Sequence, residues 1–208
     1  MTAQTKSATD RAGLTSRLPL AGLLFVQAFI GYEWFMSGLT KVVDGGFPSG
    51  LGKELNGDAA GDAHWYASFL RGAIVPDARA FGYLIEIGEL LVGIGLIVAA
   101  VFWLFRWERL SDRGHTAVLT ATALAALGGI AMAVNFHLAS GAPHPWLIPK
   151  SGFDESVDLD SLLPMLQLVL VGVSVGMLRS LRQAAPRTAE TLANRSATRS
   201  RGLAGLSR

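Results

Sequence analysis

Glu33, Glu86 and Glu89 stand inside stretches of this chain that otherwise look built to cross a membrane. A carboxylate in hydrocarbon is costly unless it is paired, hydrated or protonated. Glu86 and Glu89 are three residues apart and share one helix face, a spacing that suits carboxyl groups passing protons to a common site. Glu33, Ser37 and Lys41 follow one another at four-residue intervals and share a second face. Low dielectric and mutual repulsion predict that at least one of the three acids holds a proton near neutral pH. Lys41 is expected to pair with Glu86, the acid nearest its depth. His137, Asn135 and Gln167 add hydrogen-bonding groups within later apolar runs. Each of these alone has a bland reading: Asn, Gln and His as interhelical glue, a terminal Lys as a snorkelling side chain. Two intramembrane acids one turn apart are harder to explain structurally.

The elements that must position these residues are helices. Of 208 residues, 50% are hydrophobic and only 16% charged, against about 25% charged in a soluble domain. Four runs, 18–41, 81–104, 117–139 and 162–178, approach the roughly 20 residues needed to cross about 30 Å of hydrocarbon. The last is short and has room to lengthen either way. The expected fold is all-α: an integral membrane four-helix bundle, up-down-up-down, filling residues 18–182. Before it lies a tail at 1–17, and after it a basic, disordered tail at 183–208. Lys6, Arg11 and Arg17 precede the first apolar run as in a signal peptide. No small-residue cleavage site follows, so an uncleaved first span is expected.

Charge sets the expected orientation. Most of the 18 Lys and Arg fall in the N-terminal tail, in the loop holding Arg106, Arg109 and Arg113, and in the tail after Leu178. The positive-inside rule then puts both termini in the cytoplasm of a multi-pass protein in a bacterial-type plasma membrane. In that orientation Glu33 lies about 12 Å below Lys41 at 1.5 Å per residue. All four spans then carry their polar residues in the outer half, and the inner halves are apolar. Gly82 and Gly93 extend the Glu86/Glu89 stripe and invite a helix to approach. The basic pI near 9.2 describes the cytoplasmic face and tail, not the outer face, so it does not point to nucleic acid.

The outer segments are 44–80 and 140–160. The first opens with turn chemistry at Gly45-Gly46-Phe47-Pro48-Ser49-Gly50. It then carries a short interfacial helix over residues 64–71, whose Trp65, Tyr66 and Phe69 serve as an aromatic belt or as a lid over the bundle. The second is proline-rich, and Asp160 or Ser161 is positioned to cap the fourth helix. There is no cysteine, which excludes disulfides, redox thiols and thiolate-bound metals. His64, His115, His137 and His144 make no ligand pattern, so no metal and no flavin is expected.

Two runs carry a family resemblance. Gly31-Tyr32-Glu33-Trp34-Phe35-Met36-Ser37-Gly38-Leu39-Thr40-Lys41 resembles the first-helix ending of DoxX-like membrane proteins, which closes on Gly-x-x-Lys. The run from Gly82 to Leu96 resembles their second-helix pattern, a Glu followed by spaced glycines and aliphatics. Asn135-Phe136 fits the end of the third helix. The resemblance covers residues 18–180 and implies a four-helix membrane protein. DoxD relatives form the membrane subunit of a thiosulfate:quinone oxidoreductase, and other DoxX-like proteins are linked to redox and oxidative-stress complexes.

The resemblance implies a quinone-linked oxidoreductase subunit in the lipid bilayer. Lys41, His137, Asn135, Gln167 and Ser37 would contact the quinone, and Glu86, Glu89 and Glu33 would carry protons. Electrons would come directly from a substrate or from a redox partner subunit in a homo- or hetero-oligomer. A second reading is non-enzymatic: a membrane anchor or assembly partner of a redox or respiratory complex. A third is a small proton-coupled carrier, less favoured because the four spans are unbroken.

Overall fold

A computed structural model describes residues 3–58, 64–139 and 162–183. The described residues contain no strand. The helices are α1 (Ala3–Asp44), α2 (Phe47–Asp58), α3 (His64–Phe69), α4 (Ala78–Arg106) and α5 (Asp112–Ala139), followed by α6 (Leu162–Gln183). The described residues are helical almost throughout, in keeping with the apolar runs. Among the described residues, three helical stretches are long and apolar enough to cross a membrane: Trp65–Arg109, Asp112–Ala139 and Leu162–Gln183. α1 is not one of these three.

Helix boundaries extend past the expected spans. α1 takes residues from Ala3 into the same helix as the first apolar run, and α4 and α5 each begin before their apolar runs do. α1 ends where Gly45 adopts φ 67° and its N–H bonds the Lys41 carbonyl at 3.1 Å. A left-handed residue just past the last turn is the usual glycine stop. The turn expected over 45–50 is therefore confined to Gly45-Gly46. Pro48 sits in the first turn of α2, where its missing N–H costs no helical bond. α2 then buries Leu51 and Leu55, four apart, against the rest of the protein. The chain continues through α3, a wide helical turn at Leu70–Ile74 and a tight one at Val75–Asp77, directly into α4. The expectations for segment 140–160 and tail 183–208 fall, apart from Gln183, outside the described residues.

Glycines set how closely the helices pack. A side chain on Gly31 would meet Leu96 and Ile97, one on Gly38 would meet Glu89 and Leu90, and one on Gly93 would overlap the backbone of Phe35. Rising α1 numbers thus meet falling α4 numbers, and the two helices run antiparallel. The same inversion relates α4 to α5, where Gly88 meets Met132 and Gly95 meets Ala125. Gly82 receives Pro48 of α2, so both glycines of the predicted stripe admit a neighbouring backbone. The central core holds Ile30, Trp34, Val92, Leu96, Ala126 and Leu170. A second cluster under α2 and α3 centres on Leu51, Tyr66 and Leu70. A third, at the far end, joins Leu24, Trp103 and Leu119. Large apolar side chains face outward: Phe25 is 74% exposed and Leu91 64%. Such faces suit lipid rather than water.

Candidate functional site

The Lys41 ammonium lies 2.7 Å from both carboxylate oxygens of Glu89 and 2.8 Å from Ser37 Oγ. Its three N–H donors are thereby matched by three acceptors. Glu89 is fully enclosed, while Lys41 is 23% exposed. The pairing differs from the expected Lys41–Glu86 contact, and helix geometry gives the reason. Side chains on a helix lean toward its N-terminus, so the lysine stem runs back along α1 to the level of Ser37. Gly38 stands there against Glu89 and Leu90. Depth estimated from Cα positions missed that one-turn offset. The rings of Phe47 and Phe136 lie 5.2 and 5.7 Å from the ammonium, within cation–π range.

Beside this pair lies a cavity of about 660 Å³. α1 supplies Ser37 and Lys41 to it, and α5 supplies Met132, Asn135 and Phe136. α2 contributes Phe47, Leu51, Glu54 and Leu55; Tyr66, Phe69 and the turn after α3 close over it. Phe81 and Ile85 of α4 complete the wall. The Tyr66 hydroxyl is 3.2 Å from both the backbone carbonyl and the side-chain Oδ1 of Asn135, while Asn135 Nδ2 donates to the Ala131 carbonyl. Tyr66 is thus a latch between the cap and α5. Trp65, 65% exposed, faces away as a belt residue would. The two readings of the 64–71 segment divide between adjacent residues.

Tyr66→Phe is expected to weaken the cap by about 1 kcal/mol, the net worth of one hydrogen bond. Hydrogen exchange should quicken in α3 while the middle of α4 stays protected.

The structure brings some predicted residues to the cavity and leaves others away from it. Ser37, Lys41 and Asn135 line it, and Glu89 reaches it through Lys41. Glu86 is buried one turn along α4, and its Oε1 has no hydrogen-bond partner. Glu33 is half-buried and lines no part of the cavity. His137 and Gln167 are buried and likewise stand outside the lining. Among the described residues, no group of three side chains is arranged to hold a metal. No family model, curated protein or solved structure matches the chain. The geometry of the cavity must therefore carry the functional argument.

Sequence reasoning missed two sets of residues. Phe47 and Glu54 of α2 were not singled out as site residues, because residues 45–50 read as turn chemistry and the Leu51/Leu55 signal is short; Phe136 was noted only beside Asn135. The end of the bundle away from α2 is also less apolar than expected. Gln27 is buried there, with Nε2 3.0 Å from the Leu96 carbonyl and 3.5 Å from Thr122 Oγ1. Ser174 of α6 is buried as well. Single polar residues in long apolar runs gave no pattern to detect.

Proposed function

We propose that this chain is a DoxX-like membrane subunit that binds a quinone headgroup in the cavity beside Lys41 and Glu89. The observation that carries this is one neutral ion pair set into an otherwise aromatic and aliphatic cavity. The fit is favourable. About 660 Å³ lies within the range of small-molecule sites, and a few placed polar groups among apolar walls are their usual composition. Because Glu89 neutralises Lys41, the cavity does not select an anion; it suits a neutral, flat, apolar molecule with oxygen acceptors. Lys41, by turning toward the ligand the N–H it gives Ser37, would hold one oxygen together with Ser37, Tyr66 and Asn135, and Phe47, Phe136 and the aliphatic walls would hold the ring. A bound quinone supplies two-electron, two-proton chemistry. Glu89 fixes the ammonium and, with Lys41, holds a proton at the cavity wall. Electrons would be delivered by a partner subunit or a substrate oxidised at the outer face.

In this reading α1 is the fourth span. Its exposed Phe25, Phe29, Tyr32 and Met36 give it a lipid-compatible face like those of the other three. The four spans alternate in direction, and the basic segments put both termini in the cytoplasm of a bacterial-type plasma membrane. α2 and α3 then cap the outer end.

Decylubiquinone titrated into the purified full-length protein tests the proposal, with intrinsic tryptophan fluorescence as readout. Saturable quenching is expected. Lys41→Met should weaken it about tenfold, the equivalent of one charge-assisted hydrogen bond, and Arg182→Gln should leave it unchanged. Absence of saturable binding, or equal binding by Lys41→Met, would contradict the proposal and favour an anchor or assembly role.

A further inference from the structure

Several buried polar groups lie outside the cavity lining. Gln167 is completely enclosed, yet neither its amide nitrogen nor its amide oxygen has a partner. Its amide sits in a cradle that only glycine leaves open, because a Cβ at Gly129 would overlap it. Trp34 is 3% exposed, and its indole N–H is also unpartnered. A leucine would fill the Gln167 site without leaving polar atoms unmet, so a dry interior gives no reason for an amide there. Ordered water does give one, since buried polar groups without protein partners are commonly met by it.

The spacing continues inward. On α1, Gln27, Trp34 and Lys41 are seven apart, which is two helical turns, or about 10.5 Å per step. On α6, Gln167 and Ser174 are also seven apart. On α5, Thr122 lies seven residues from Gly129 and meets Gln27. Three helices thus repeat a polar or small residue at the same interval, and all the polar ones except the partly exposed Lys41 are buried.

We propose that a hydrated polar track runs from the Lys41–Glu89 pair past Gln167 to Gln27, Thr122 and Ser174, and carries protons along the bundle. It deepens the redox reading above and rests on it for its purpose. A proton entering from water at the far end passes along the water chain to the Lys41–Glu89 pair. From there it reaches an oxygen of the molecule in the cavity, and one positive charge moves toward the capped end per proton.

Two measurements test the track on the full-length protein in liposomes. The first is radiolytic footprinting, which oxidises side chains beside bound water. Trp34 should be labelled in the wild type despite its burial, and protected in Gln167→Leu. The second is proton flux, followed with internal pyranine under a valinomycin potassium potential. Flux should exceed that of protein-free vesicles and fall several-fold in the near-isosteric Thr122→Val and Ser174→Ala variants, which keep the packing even if Gln167→Leu does not fold. A protected Trp34 in the wild type, flux no greater than in protein-free vesicles, or flux unchanged in all variants would overturn the track. Decylubiquinone binding in the same vesicles separates the two ideas. Binding without flux removes the track alone, and flux without binding removes the redox reading while leaving the track.

Discussion

Lys41→Met is expected to destabilise the folded protein by about 3 kcal/mol, and adding Glu89→Leu to the same chain should restore most of that loss. The asymmetry follows from burial. Glu89 has no exposed surface, and its two oxygens receive the Lys41 ammonium. Removing the lysine leaves a carboxylate without a counter-charge in low dielectric. Removing both leaves an apolar contact between α1 and α4, where Gly38 already brings the helices close. A double-mutant cycle of thermal or urea unfolding in detergent measures the coupling directly. If Lys41→Met alone is neutral, the pair is a surface contact and the enclosed geometry is wrong. The cycle also separates stability from binding. The double variant should fold and still bind decylubiquinone about tenfold more weakly, because the proposed donor to the quinone oxygen is gone.

Gly93→Val should cost more than any other single change along α4, about 3 kcal/mol or more as an overpacked contact. The clash is with backbone: a Cβ there overlaps the nitrogen and Cα of Phe35, and no rotamer change relieves it. α1 and α4 would have to separate near the level of Ser37, carrying Lys41 away from Glu89. Stability and quinone binding should therefore fall together. Gly22→Ala, where an added Cβ meets nothing within 4 Å, is the matching control and should be neutral or slightly stabilising. Melting temperatures in detergent distinguish the two. Equal effects at the two positions would show that α1 does not pack on α4 as described.

Much of the helical architecture was legible because apolar runs near twenty residues long have few alternatives. The close approach at Gly82 and Gly93 was legible too, from small residues continuing an acidic stripe. α2 was not. Gly50, Gly52 and Gly57 surround its Leu51 and Leu55, and local glycine propensity argued for turns until tertiary burial of the two leucines outweighed it. Within the site, four-residue spacing placed Ser37 beside Lys41, and the two side chains do bond. The same spacing included Glu33, which stays half-buried away from the cavity, because a shared helix face spans a wider arc than a single cavity wall. The partner of Lys41 was displaced by one turn, since side-chain lean is invisible to a count of Cα levels. Tyr66 was visible as an aromatic, but its bond to Asn135 depends on how a connecting segment folds back, and spacing does not encode that.

The most direct test of the account is photo-crosslinking with an azido-quinone, followed by peptide mapping of the full-length protein in liposomes. The label should fall on the peptides carrying Phe47, Tyr66 and Met132–Phe136, and decylubiquinone should compete it away. Label confined to outward apolar faces such as those of Phe25 and Leu91, without competition, would mean that the quinone merely partitions into lipid and that the cavity is not its site.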